Sequence, residues 1–192
     1  MIALGFFDGV HLGHGALLRA VKEKADRLSA VPAAFTFDES PAAVITGRTV
    51  PLLTTVQERT ALMKRLYGIQ EVVIASFQTM QRMDWEDFIA EYLVKNLGVV
   101  HVVAGHDFRF GYQGRGTPDR LCAKCEELGV GCEIIQKVEL EGVTVSSTYI
   151  RTLIAQGEME RAERFLGHPL GALAEEIKHS AQKNPAKNSP RT

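Results

Sequence analysis

No stretch of the 192 residues approaches the roughly 20 consecutive apolar positions that cross a bilayer. The opening MIALGFFDGV carries neither a basic segment nor a small-residue cleavage site, so a secretory signal is not expected either. Basic charge is not in excess: 22 Lys and Arg stand against 23 Asp and Glu, for a net charge of -1. A general nucleic-acid binder needs a basic stripe to displace counterions, so nucleic acid is not an expected partner. Cysteine is scarce and odd in number, with only Cys122, Cys125 and Cys132. Three thiols make no disulfide framework, which favours a reducing, cytoplasmic setting. Both standard phosphate loops are missing, since there is no G-x-x-x-x-G-K-[ST] and no G-x-G-x-x-G after a strand. A wholly disordered chain is excluded by 45% hydrophobic and 23% charged residues. One well-cored cytoplasmic domain remains.

Apolar runs and helical patterns alternate along that domain. Ile2 to Phe7 predicts a first strand, and Gly13 to Leu28 a helix whose stripe is Leu17, Val21, Ala25 and Leu28. Val31 to Phe37 reads as the second strand. Thr55 and Glu58 form a capping box for a helix that Gly68 stops, and Glu71 to Ala75 follows as the third strand. Asp84 caps a helix through Leu97, with Phe88, Tyr92 and Val94 to Leu97 on its buried face. Val99 to Ala104 is a buried strand, and Pro118 opens a helix ending near Gly129. Ile134 to Val138 and Gly142 to Val145 are expected to pair around a turn at Glu141-Gly142. Two short helices, Ser147 to Gln156 and Glu158 to Leu166, close the domain. This rhythm predicts an α/β, doubly wound, Rossmann-like fold with a mostly parallel sheet and helices on both faces. The domain is expected over residues 1 to 170, followed by a polar tail, 171 to 192, disordered at its end.

Three segments stand where such a sheet binds ligands, beyond its strands' carboxyl ends and beside helix N-termini. The first is Phe7-Asp8-Gly9-Val10-His11-Leu12-Gly13-His14. Its histidines straddle a helix start, where they can donate to phosphate oxygens and carry positive charge once phosphate is bound. The bland alternative is two surface histidines at a helix cap, and zinc is a poorer one because no third and fourth ligand stand nearby. The second segment is Val145-Ser146-Ser147-Thr148-Tyr149-Ile150-Arg151, with hydroxyls and free N–H groups at a strand-to-helix junction. Arg151 follows by one turn, poised for bidentate phosphate contact. A plain N-cap with a solvated arginine is its alternative. The third is Gly105-His106-Asp107-Phe108-Arg109-Phe110-Gly111, which offers stacking faces and cationic reach to an aromatic ligand. Its alternative has one phenylalanine sealing the core and Arg109 in water.

F-D-G-V-H-L-G-H, G-H-D-F-R-F-G and S-S-T-x-x-R, in this order, resemble the FMN adenylyltransferase (FAD synthetase) module of bacterial bifunctional riboflavin kinase/FAD synthetases. The similarity covers about residues 2 to 169 and ends with Gly167-His168-Pro169. H-x-G-H alone is shared by a wider nucleotidyltransferase superfamily; the other two segments are narrower. The resemblance implies transfer of AMP from ATP to FMN, giving FAD and pyrophosphate. His11, His14 and Arg151 would be catalytic. Gly5, Phe6, Phe7, Asp8 and Gly9 would lie along ATP with the histidines, and Ser147, Thr148 and Arg151 would hold the leaving phosphates. Asp107, Phe108, Arg109 and Phe110 would help form the flavin and adenine pocket. Mg²⁺ is expected on the nucleotide phosphates, with no protein cage evident.

Two departures qualify that expectation. The family's T-F-x-P-x-P-like segment appears here as Thr36-Phe37-Asp38-Glu39-Ser40-Pro41, keeping only the later proline. The family's following β-barrel kinase module has no counterpart in these 192 residues, so riboflavin kinase activity is not expected. The resemblance gives the cysteines no role, and they read as ordinary buried or half-buried thiols. Two other functions fit the same motifs: a related nucleotidyltransferase with another phosphorylated acceptor, or a flavin- or nucleotide-binding module without turnover.

Overall fold

The computed structural model of the chain describes residues 1–171. The polar tail expected from 171 onward therefore lies, except for its first residue, outside the described residues. Five strands form one parallel sheet: β1 (Ile2–Leu4), β2 (Ala33–Phe37), β3 (Glu71–Ala75), β4 (His101–Gly105) and β5 (Gly131–Ile135), in the order β3-β2-β1-β4-β5. Alternation divides the central strands between two cores. Ala3 and Val103 face one side, where α1 (Leu12–Arg27) and α3 (Val56–Tyr67) bury Leu18, Val21, Leu62 and Met63. Ile2, Leu4, Val102 and Ala104 face the other, against Phe35, Phe88, Leu93 and Leu121. This second layer comprises α5 (Trp85–Asp87), a π-helical stretch Phe88–Asn96 that continues it, and α6 (Pro118–Glu127). The doubly wound α/β fold is thus present, with helices on both faces.

A smaller third core lies beyond the sheet. There α7 (Ser147–Ala155) and α8 (Met159–Leu166) pack Ile150, Leu153, Phe165 and Leu166 together with Val145. A two-stranded hairpin, β6 (Glu139–Leu140) and β7 (Val143–Thr144), leads into it. Its two-residue loop, Glu141 and Gly142, has φ of 55° and 72°, the double left-handed geometry that suits a tight hairpin.

The helix boundaries follow local chemistry. Thr55 and Glu58 make the reciprocal capping box at α3, and Gly68 ends that helix at φ 66°. Asp84 accepts the Glu86 N–H at the start of α5. Several expectations need correction. The hairpin turns at Glu141-Gly142 as expected, and Val145 N–H donates to the Val138 carbonyl at 2.9 Å, but Ile134 and Ile135 lie outside it: Gly131–Ile135 returns after α6 to lie parallel to β4. A strand–helix–strand crossover completes the sheet, whereas the hairpin needs only two residues per strand. Leu28 caps α1 from outside the stripe and is 61% exposed. The π-helical turn brings Leu93, five residues after Phe88, into the core and leaves Leu97 exposed at the helix end. Two short helices, α2 (Pro41–Thr46) and α4 (Phe77–Met80), were not expected from the pattern.

The loop after β4 is braced on α5. Phe110 and Gly116 form a paired bridge, and Tyr112 N–H donates to the Met83 carbonyl at 2.7 Å. Gly111 sits at φ 71°, and a Cβ there would lie 2.6–2.8 Å from the Trp85 Cβ, Cα and N. Substitution Gly111→Ala should therefore lower stability by about 1–3 kcal/mol in urea unfolding. Wild-type stability in that variant would show that the loop does not lean on α5.

Candidate active site

From β1 the chain winds outward through β2 and β3, then β4 takes the place on β1's other side. The carboxyl ends of β1 and β4 consequently border a crevice where the winding reverses. The loop leaving β1 is tightly wound. Phe7, Gly9 and Val10 have φ of 56°, 79° and 43°, and Val10 N–H donates to the Phe7 carbonyl at 3.1 Å. Left-handed geometry at a β-branched valine is rare and costly, so surrounding contacts must impose it.

The main contact is Asp8, whose carboxylate is almost fully buried. Its Oδ1 accepts from Leu53 N–H at 2.8 Å and Thr54 N–H at 3.1 Å. Its Oδ2 accepts from Arg151 at 2.9 Å, and its backbone carbonyl accepts from Ser147 Oγ at the same distance. Burial pushes the Asp8 carboxyl above its ordinary range; the Thr54 and Leu53 amides and the Arg151 and Arg59 guanidiniums act in the opposite direction. Arg151 also reaches Thr148 Oγ1 at 3.2 Å. Ser146 is the N-cap of α7, accepting from Tyr149 N–H, so the plain capping role belongs to it rather than to Ser147 or Thr148.

The two histidines meet at the start of α1. His11 is its N-cap and accepts the His14 N–H on Nδ1 at 3.2 Å. This leaves the proton of a neutral His11 ring on Nε2. The His14 ring stacks on His11 with centroids 3.6 Å apart and meets the edge of Phe7. Burial holds His11 down to about 4, helped by the charge of His168 and opposed by a hydrogen bond to its own backbone. Burial, then His11 and Arg59, hold His14 well below the usual imidazole range. Both rings are therefore neutral near pH 7. His14 Nδ1 is buried and has no hydrogen-bond partner in the protein. Gly13 leaves room for the His11 ring, on which a Cβ there would press at 3.1 Å.

A cleft of about 650 Å³, within the usual range for ligands of cofactor size, joins these groups. Gly5, Phe6, Asp8, His11, His14, Ser147, Thr148 and Arg151 line it, as do Asp107, Phe108 and Arg109. The other residues expected at the site stand behind its wall. Phe7 is fully buried beside His14, and Phe110 is in the second core, stacked against Phe108. Gly9 lies behind the loop, its N–H donating to Thr54 Oγ1 and its carbonyl accepting from His168 Nε2. Phe37, Ser40 and Pro41, from the segment that the resemblance puts near the flavin, form another wall together with Leu52, which was not foreseen. Arg59 was also missed. Fully buried, it donates to the Phe37 carbonyl and lies over the Phe6 ring at 4.3 Å, while two of its nitrogens lack a hydrogen-bond partner. Sequence placed it in a capped helix but gave no sign that it points inward. No group of three or more His, Cys, Asp or Glu suited to a metal occurs among the described residues.

The neutral histidines couple stability to pH. Between its ordinary 6.5 and about 4, His11 binds a proton in the unfolded chain but not in the folded one. Stability is retained above 6.5 and falls as pH drops toward 4. At about 1.4 kcal/mol per unit, His11 alone contributes a loss on the order of 3 kcal/mol. Urea unfolding between pH 7.5 and 4.5 should show a shallower fall in His11→Asn, which keeps an N-cap acceptor. An unchanged slope would place the sensitivity elsewhere.

Comparison with known proteins places the chain in a family. Residues 1–149 match the family described as FAD synthetase. A bifunctional riboflavin kinase/FMN adenylyltransferase of Listeria monocytogenes is 36% identical, covering 88% of this chain and 54% of that protein. The chain thus spans about half the length of that relative. A second protein of the same organism, named FAD synthetase, is 28% identical and is covered over 69% of its length, with 88% of this chain matched. Among solved structures, one described as a macrolide-efflux protein from Streptococcus pneumoniae shares the fold with a TM-score of 0.75. It is 28% identical and the match covers 88% of this chain and 55% of that one. No helix among the described residues is long and apolar enough to cross a membrane. The chain belongs to the FAD synthetase family.

Proposed function

We propose that this cleft transfers AMP from ATP to FMN. A phosphate oxygen of FMN attacks the α-phosphorus of ATP, the bond to the bridging oxygen of the β-phosphate breaks, and pyrophosphate leaves with that electron pair. The product is FAD. The observation that carries this reading is the meeting, in one cleft, of the stacked His11–His14 pair with Ser147, Thr148 and Arg151. Such transfer asks mainly for positioning and for donors aimed at developing charge, and no covalent nucleophile is needed.

In this mechanism His11 donates through Nε2 to the α-phosphate, its tautomer set by the cap on Nδ1. His14, with an unpartnered Nδ1, adds a second contact at the same phosphate. Arrival of a polyanion favours protonation of both rings, which strengthens their hold as charge builds on the phosphorus. Arg151, braced by Asp8 and Thr148, faces the β- and γ-phosphates with Ser147 and Thr148. Gly5 and Phe6 lie along the nucleotide. Phe108, Asp107 and Arg109 border the aromatic substrates, with Phe110 supporting Phe108 from behind. Mg²⁺ would be carried on the ATP phosphates and would neutralise their charge; among the described residues no cluster forms a cage for it, and both Asp8 oxygens are engaged by Leu53, Thr54 and Arg151. The reaction belongs in the cytoplasm, where ATP and FMN are available; neither nucleic acid nor a membrane takes part.

Purified protein with Mg²⁺, ATP and FMN should form FAD and pyrophosphate. Riboflavin or a phosphopantetheine acceptor in place of FMN should give no product. His14→Ala should reduce FAD formation by about 10²–10³-fold with an unchanged circular dichroism spectrum. Near-normal turnover in that variant would contradict the role given to His14. Tight FAD binding without pyrophosphate release by the wild-type protein would favour a binding module instead.

A further inference from the structure

The three cysteines stand together where α6 meets β5, with Cys125 in the second core and Cys132 packed against it. Cys122 lies midway along α6, Cys125 follows one turn later, and Cys132 is the second residue of β5. A short turn through Gly129 joins the helix to the strand and sets the helix face directly over the strand. Cys122 Sγ and Cys132 Sγ are 2.6 Å apart, about half an ångström beyond the length of an S–S bond. Both residues are half-buried and open to a small reagent, whereas Cys125 is fully buried.

We propose that Cys122 and Cys132 form a reversible disulfide that clamps α6 to β5, with low-molecular-weight disulfides as the oxidant. The Cys122 thiolate attacks one sulfur of the small disulfide, forming a mixed disulfide and releasing one thiolate. Cys132 then loses its proton and attacks the Cys122 sulfur, releasing the second thiolate. Two protein thiols are oxidised and one small disulfide is reduced to two thiols, so electrons and protons balance. Contact with Cys125, burial and contact with Cys122 hold the Cys132 thiol above its ordinary range, so Cys122 reacts first. The two sulfurs need close by only about half an ångström to reach bonding distance. Cys132 pairs with Val102 near the amino end of the sheet, opposite the carboxyl-end cleft, so the clamp acts on the sheet edge and leaves the cleft's chemistry unchanged.

The test uses the full chain, reduced and then equilibrated with glutathione disulfide. Expected are loss of two of the three free thiols, a mass lower by two hydrogens, and a linked peptide pair containing Cys122 and Cys132. The melting temperature should rise by about 5–10 °C, as closing a loop of this length implies, and fall back in dithiothreitol. Cys125→Ser should behave like the wild type, and Cys122→Ser should melt identically in oxidant and reductant. A persistent glutathione adduct at Cys122, a Cys122–Cys125 link, or three unreacted thiols would each overturn the proposal. Because the wild-type chain supplies the mapping result, failure of any variant to fold leaves the test intact.

Discussion

Asp8 is the tie on which the site depends. One buried carboxylate gathers the backbone approaching α3, through Leu53 and Thr54, and the guanidinium of Arg151 on α7. Those partners stand 45, 46 and 143 residues away in sequence, so no local propensity holds them together. Burial still outweighs the amides and guanidiniums that favour the charge, since the carboxyl is held above its ordinary range. The tie is therefore a weak source of net stability, as buried ion pairs commonly are, and its value is positional. It fixes Arg151 toward the cleft and forces the strained loop of Phe7 to Val10 into one conformation.

That loop in turn sets the histidines. With the chain turned so sharply after β1, His11 arrives in extended geometry as the N-cap of α1. Capping uses Nδ1 as an acceptor, which directs the remaining ring proton outward. Stacking then aligns His14 with His11, and burial keeps both uncharged. Two cations side by side at a helix N-terminus would repel each other and the positive end of the helix dipole. Neutral rings avoid both penalties, and in the proposed reaction the low dielectric that suppresses their charge would strengthen a hydrogen bond from them to phosphate.

Much of this was readable in the sequence, for identifiable reasons. Thr55 and Glu58, Gly68, Pro118 and Gly157 act through contacts of a few residues, so the elements that they bound follow from local pattern. The histidines and the S-S-T-x-x-R run were legible because their motifs sit at strand-to-helix junctions. What was not legible depends on distance. That Asp8 would pair with Arg151, that Arg59 would be buried beneath Phe6, and that Phe110 would turn inward while Phe108 faced the cleft are outcomes of tertiary packing. The π-helical turn also defeats pattern reading, because a period of 3.6 selects Tyr92 and Leu97 where the wider turn buries Leu93.

The cleft lies on a seam. The histidines belong to the sheet and its covering helices, whereas Ser147, Thr148 and Arg151 belong to the smaller core of α7 and α8. Leu12 and Leu53 supply the apolar contact across that seam, and Asp8, Ser147 and His168 supply its polar bonds. A ligand whose phosphates run from His11 to Arg151 would bridge both bodies at once, adding charge-assisted bonds where few apolar contacts exist. Under the proposed function, this would also reconcile a near-neutral chain with anionic substrates. Donors are concentrated on the two facing edges of one seam, so a few well-placed groups replace the broad basic surface that the composition lacks.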